Sequence, residues 1–82
     1  MEKINTPKVK IYSTPTCPWC MKAKEFLKEN HIKYAEANVA DDEKELKEMI
    51  EKSGQTGVPV IDVGGTILLG FDKNALKRAL GL

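Results

Sequence analysis

The sequence contains little cysteine and histidine, and it has no excess of charge of either sign. Its 82 residues include two cysteines and one histidine, and 13 basic residues against 12 acidic ones give a net charge of +1. Without a basic excess, the chain lacks the electrostatic attraction that drives nucleic-acid binding. A tetrahedral zinc site needs four ligands, and two cysteines with the distant His31 do not supply them. We therefore expect no nucleic-acid partner and no metal site within one chain.

Long hydrophobic stretches are also missing. No run reaches the roughly 18 apolar residues that span a membrane, and residues 1–5 lack the apolar segment of a secretory signal. A chain of 82 residues has enough material for one small domain, which we place at residues 1–82. We expect a cytoplasmic protein without a membrane partner, and we expect it to be a monomer.

The cysteines that are present stand together in the sequence Cys17-Pro18-Trp19-Cys20. Two intervening residues allow both sulfurs to meet across one turn, so that a disulfide can form and break without large chain movement. A purely structural disulfide is disfavoured, because so short a loop adds little stability compared with a loop of about 15 residues. A strand-like segment precedes the pair and a helix-like segment follows it, which is typical of a thioredoxin-like redox site.

The rest of the chain predicts an α/β fold in the order β-α-β-α-β-β-α. Strands are predicted at residues 8–13, 32–39, 59–63 and 66–69, and helices begin at Pro18, after Asp42 and after Asp72. The first β-α-β unit should be parallel, as such crossovers are. The pair Gly64-Gly65 predicts a hairpin, so the last two strands should be antiparallel. The prediction is a mixed four-stranded sheet with three helices.

Each predicted helix has an apolar face and recognisable ends. The apolar positions are Ala23, Phe26 and Leu27 in the first helix, Leu46, Met49 and Ile50 in the second, and Ala75, Leu76, Ala79 and Leu80 in the third. Asp42 with Glu45 three residues later predicts a capping box. Gly54 should end the second helix.

Three short segments give the chain a resemblance to glutaredoxins that extends from about Lys8 to Leu80. These segments are Thr16-Cys17-Pro18-Trp19-Cys20, Gly57-Val58-Pro59 and Gly70-Phe71-Asp72. The resemblance implies a thioredoxin-like fold and a thiol–disulfide oxidoreductase that reduces disulfide-containing proteins or glutathione mixed disulfides. It also implies that no cofactor is bound, that glutathione is the reductant, and that Pro59 is cis and faces the cysteines.

The expected chemistry is divided between the two cysteines. Cys17 begins a helix, where free N–H groups and the helix dipole favour a thiolate, and it should attack a substrate disulfide. Cys20, one turn inside the helix, should then attack Cys17 and release the reduced substrate. The resemblance assigns substrate or glutathione binding to Pro18, Trp19, Val58, Pro59, Gly70, Phe71 and Asp72. Of these, Trp19 should be an exposed contact surface and Asp72 could equally be a plain helix cap.

Departures from the family pattern leave the electron donor open. Thr14 stands where glutaredoxins usually have lysine, Gly57 where they have threonine, and Leu46 where a polar residue helps to hold glutathione. The Gly70-Phe71-Asp72 segment also resembles redoxins that accept electrons from thioredoxin reductase and serve ribonucleotide reductase. Two alternatives of other classes are a shared iron–sulfur cluster, which Pro18 disfavours, and a non-catalytic binding protein.

Overall fold

The computed structural model describes residues 8–81, and within them the predicted order of strands and helices is confirmed. The strands are β1 (Val9–Ser13), β2 (Tyr34–Asn38), β3 (Val60–Val63) and β4 (Thr66–Leu69), and the helices are α1 (Pro18–Glu29), α2 (Glu43–Ser53) and α3 (Lys73–Leu80). Residues 1–7 and 82 of the expected domain lie outside the described residues. Across residues 8–81, no helix is long and apolar enough to cross a membrane.

The four strands form one mixed sheet in the order β2-β1-β3-β4. As predicted, β1 is parallel to β2, and β3 and β4 are antiparallel. Gly64 and Gly65 both adopt positive φ angles, 58° and 100°, in the hairpin between β3 and β4. Glycine adopts such angles without the steric cost that a Cβ imposes. The Gly65 amide also donates to Asp62 Oδ1 at 2.8 Å, which fixes the turn.

The sheet separates two apolar clusters because successive side chains of a strand point to opposite faces. The cluster between the sheet and helices α1 and α3 consists of Val9, Ile11, Ala23, Phe26, Leu27, Ile61, Val63 and Leu76. The cluster beneath α2 consists of Tyr12, Ala37, Val39, Met49 and Val60. The predicted apolar face of α1 is thus confirmed, with all three of its residues buried. This packing holds the start of α1 at the end of β1.

The helix ends agree with the sequence in most respects. Pro18 is the first residue of α1, Asp42 and Asp72 are N-caps, and Gly54 ends α2 with a φ of 74°. The complete capping box was a wrong prediction. The Glu45 carboxylate accepts from Lys10 at 3.0 Å, and the Asp42 amide donates to the Asn38 carbonyl at 3.2 Å instead.

Two further predictions need correction. Ile50 is 36% exposed and does not belong to the core, although Met49 beside it is fully buried. The second strand is shorter than predicted, because the Ile32 amide donates to the Leu27 carbonyl at 2.8 Å and closes the end of α1. His31, just before it, has a φ of 58° in this left-handed bend. The strand therefore begins only at Tyr34.

Candidate active site

The two cysteines lie in the first turn of α1. Cys17 is the N-cap residue, and its sulfur accepts a hydrogen bond from the Cys20 backbone amide at 3.1 Å. Both cysteines are free thiols in the structure. An N–H group and the positive end of the helix dipole are therefore both directed at the Cys17 sulfur. The local geometry therefore suits a nucleophile at position 17.

Burial distinguishes the two sulfurs. Cys17 retains 8% of its surface, whereas Cys20 retains none. Burial, reinforced by the hydrogen bond with Cys17, raises the pKa of Cys20 to about 12. Cys20 is consequently a protonated, inaccessible thiol at neutral pH, and Cys17 is the sulfur nearer to the surface.

A groove beside the cysteine turn brings together five of the predicted substrate-binding residues. It has a volume of about 230 Å³ and is lined by Trp19, Val58, Pro59, Gly70 and Phe71. The Val58–Pro59 peptide bond is cis, as expected. The Gly70 amide donates to the Pro59 carbonyl at 2.8 Å and joins the two backbone walls. Trp19 connects this groove to the cysteine turn.

Trp19 lies on the surface, as predicted, with 55% of its area exposed. The ammonium group of Lys22 lies 4.7 Å from the centre of its ring, at cation–π distance. Phe71, at the other end of the groove, is half-buried and packs edge-on against Phe26 with the ring centres 6.2 Å apart. One aromatic wall is thus anchored in the core, and the other is available for contact.

Two predicted binding residues do not line the groove. Pro18 is exposed at the first position of α1. Asp72 caps α3, because its carboxylate accepts from the amides of Asn74 at 3.1 Å and Ala75 at 3.2 Å. Its structural role as a helix cap is therefore clear, and its contact with a ligand stays a prediction.

The three residues that depart from the family pattern are each placed by the structure. Leu46 is half-buried and packs against the apolar cluster under α2, so it offers no polar group to a ligand. Thr14 uses its carbonyl to accept the Cys17 amide at 3.4 Å. Gly57 is exposed, and a Cβ added there would meet Gln55 at an ordinary 3.6 Å.

A polar cluster near Cys20 was not predicted from the sequence. Lys24 Nζ donates to Glu36 Oε2 at 2.8 Å, and the buried Ser13 hydroxyl donates to the same oxygen at 3.4 Å. These residues come from α1, β2 and β1, and no local spacing links them. Only the parallel pairing of β1 with β2 could have suggested that Glu36 faces α1. In the part of the chain from Lys8 to Gly81, no group of three or more His, Cys, Asp or Glu side chains is placed to hold a metal.

The glutaredoxin family model matches residues 9–68 of the chain. The chain belongs to the glutaredoxin family. It is 53% identical over 72 residues to an uncharacterized glutaredoxin-like 8.6 kDa protein in a rubredoxin operon of Clostridium pasteurianum, covering 88% of this chain and 96% of that one. It is 40% identical over 75 residues to a glutaredoxin of Pseudomonas aeruginosa, covering 89% of this chain and 88% of the relative.

Solved structures confirm the thioredoxin-like fold of this glutaredoxin. The thioredoxin-like protein BC3987 superposes with a TM-score of 0.84 at 30% identity, covering 89% of this chain and 100% of that one. A glutaredoxin from Archaeoglobus fulgidus superposes with a TM-score of 0.82 at 26% identity, covering 92% and 87%. Family and fold together support a thiol–disulfide oxidoreductase that acts on protein disulfides and receives electrons from a reductase system.

Proposed function

We propose that this glutaredoxin reduces protein disulfides and glutathione mixed disulfides by a dithiol mechanism. The Cys17 thiolate attacks one sulfur of the substrate disulfide, the substrate bond breaks, and the other half leaves as a thiol. Cys20 then loses its proton and attacks the Cys17 sulfur, which forms the Cys17–Cys20 disulfide and releases the second substrate thiol. Two electrons pass from the cysteine pair to the substrate.

The observation that carries this proposal is the unequal environment of two sulfurs in one helical turn. The Cys20 amide donates a hydrogen bond to the Cys17 sulfur at 3.1 Å, at the N-terminus of α1. The Cys20 sulfur is fully buried, so an external disulfide cannot reach it before Cys17 has reacted. This asymmetry supports an attacking role for Cys17 and a resolving role for Cys20.

The groove beside the turn supports a site for the substrate backbone. In this proposal the backbone of Val58, in the loop before β3, exchanges hydrogen bonds with an extended substrate segment, as neighbouring strands do. Trp19 and Phe71 form the apolar walls of the same groove. Contacts to backbone atoms tolerate many side chains, which suits an enzyme that reduces several disulfide-containing proteins.

Glutathione is the first candidate for the reductant, and thioredoxin reductase is the second. The second candidate is favoured by Leu46, which packs into the apolar cluster under α2 and leaves no polar group where glutaredoxins bind a glutathione carboxylate. Thr14 likewise lacks the positive charge of the usual lysine. In the second scheme the protein accepts electrons from thioredoxin reductase and passes them to ribonucleotide reductase.

One assay tests the activity and distinguishes the two donors. The protein and a disulfide substrate such as insulin are mixed with NADPH and either glutathione with glutathione reductase or thioredoxin reductase, and NADPH consumption is followed in both. The Cys17→Ser variant is the matched control, because it replaces only the attacking sulfur atom with oxygen. Turnover in either system that disappears in the variant supports the proposal. The absence of turnover in both systems would contradict the proposal. A coloured purified protein would indicate the iron–sulfur alternative.

A further inference from the structure

A charged pair lies one helical turn beyond Cys20 on the same side of α1. Lys24 follows Cys20 by four residues, the spacing that places side chains above one another on a helix. Its ammonium donates to Glu36 Oε2 at 2.8 Å, and the buried Ser13 hydroxyl donates to the same oxygen at 3.4 Å. Glu36 pairs with Ile11 in the β-sheet register, and Ile11 belongs to the α1 side of the sheet. Glu36 on β2 therefore binds the Lys24 ammonium directly, and Ser13 on β1 holds Glu36.

The position of this charged pair bears on the ionisation of Cys20. Cys20 has to become a thiolate to attack Cys17, but its complete burial disfavours the charged form and raises the pKa of Cys20 to about 12. A backbone hydrogen bond with Thr14 and, to a smaller extent, the charge of Lys24 act in the opposite direction and lower the pKa of the same thiol. The hydrogen bond with Glu36 raises the pKa of Lys24, so Lys24 keeps its charge. The other titratable groups facing this pair are Cys17 and Tyr34.

An open groove connects the charged pair to solvent. The groove, of about 290 Å³, is lined by Met21, Lys24, Glu25, Lys28, Tyr34 and Glu36. The Lys24 side chain is 23% exposed and the Glu36 side chain 44%, so both groups of the pair reach solvent.

We propose that Lys24, held by Glu36 and Ser13, is a positioning residue that promotes ionisation of Cys20 in the second half of the reaction. The inference rests on the dithiol mechanism proposed above. The Cys20 thiol gives its proton to solvent, and its thiolate attacks the Cys17 sulfur. A Cys17–Cys20 bond forms as the bond between Cys17 and the substrate breaks, and the departing substrate thiolate takes up a proton.

A stopped-flow experiment separates the two halves of the reaction. Reduced protein is mixed with 5,5′-dithiobis(2-nitrobenzoate), and the coloured thiolate is released once when Cys17 attacks and again when Cys20 resolves the mixed disulfide. We expect Lys24→Met to slow the second release about tenfold at neutral pH and to move its pH profile about one unit higher. The first release should stay unchanged, and Lys24→Arg should restore the second. Lys28→Met, the same change one turn further along the groove, is the control and should alter neither release.

The outcomes distinguish this inference from the proposed function. If wild type shows both releases and Lys24→Met leaves the rate and pH profile of the second one unchanged, the role of Lys24 is disproved while the mechanism stands. If wild type shows no second release, or if the first does not depend on Cys17, the dithiol mechanism itself fails. Lys24→Gln is measured in parallel, so that poor folding of one variant does not prevent the comparison.

Discussion

The backbone amide of Cys20 lies 3.1 Å from the sulfur of Cys17, within the first turn of α1. The same turn that directs this N–H group at Cys17 also places the Cys20 sulfur inside the protein, where it has no exposed surface. One short sequence thereby produces two thiols that differ in solvent access and in hydrogen bonding. The proposed order of attack follows from this local geometry.

Replacing the attacking sulfur should remove the activity. We expect Cys17→Ser to keep less than about one hundredth of the wild-type disulfide reductase activity, because a serine hydroxyl is a far weaker nucleophile than a thiolate. The measurement is insulin or hydroxyethyl-disulfide reduction, with unfolding by urea as a check that the variant folds. Substantial activity in a folded variant would contradict the assignment of Cys17.

Trp19 should contribute to substrate binding and little to folding. The ring is 55% exposed and lines the groove, so we expect Trp19→Ala to raise KM for a protein disulfide several-fold, while kcat and the urea midpoint stay near wild type. Met21→Ala is the matched control, because Met21 is 59% exposed on the same helix and does not line this groove. Equal effects of both substitutions on KM would show that the groove is not the binding surface.

Glu48 should stabilise the fold in a pH-dependent way. Hydrogen bonds from Lys10 and Tyr12 lower the pKa of Glu48 from its ordinary value of 4.5 to about 2. Since the folded state favours the carboxylate, this stabilisation is present above about pH 4.5 and is lost as the pH falls towards 2.

The test of this effect is Glu48→Gln. At pH 7 the substitution should reduce the free energy of unfolding by about 0.5–1 kcal/mol, a modest value because the Glu48 side chain is 39% exposed. Urea denaturation at pH 7 and pH 3 should show the difference from wild type shrinking at the lower pH. Glu51→Gln, an exposed change on the same helix, should show no such trend. A difference that grows at pH 3 would disprove the role of Glu48.

The sequence was sufficient to predict the features that depend on neighbouring residues. Pro18 starts α1, Gly64 and Gly65 form the hairpin, and Asp42 and Asp72 cap their helices, because each of these outcomes is decided within a few residues. The groove residues were found through the resemblance to glutaredoxins, since Pro59 and Phe71 meet only after folding.

Features that depend on tertiary packing were either not predicted or predicted wrongly. Helical periodicity placed Ile50 in the core, but α2 turns Met49 inwards and leaves Ile50 at the rim. Glu45 fitted a capping box, but Lys10 on β1 offers it a charge-assisted partner at 3.0 Å. The pairing of Lys24 with Glu36 joins a helix to a strand across a loop, and no periodic pattern reports such a contact.

Introducing a positive charge near the cysteines should raise the rate of turnover with glutathione. Each charge-assisted hydrogen bond to a glutathione carboxylate is worth about 1.5–3 kcal/mol. We therefore expect Thr14→Lys to raise glutathione-dependent turnover several-fold, with Thr14→Met as the uncharged control. Should wild type already match an ordinary glutaredoxin and Thr14→Lys add nothing, then other residues, such as Lys44 or Lys47, hold the tripeptide.

The most direct test of the proposed mechanism is the mass of each single cysteine variant after incubation with oxidised glutathione. We predict that Cys20→Ser gains one glutathione, because Cys17 attacks the disulfide and no resolving thiol remains to release the product. Cys17→Ser should stay unmodified, since the Cys20 sulfur is fully buried and protonated. Glutathione attached to Cys20 in Cys17→Ser, with none on Cys17 in Cys20→Ser, would reverse the two roles and contradict the mechanism.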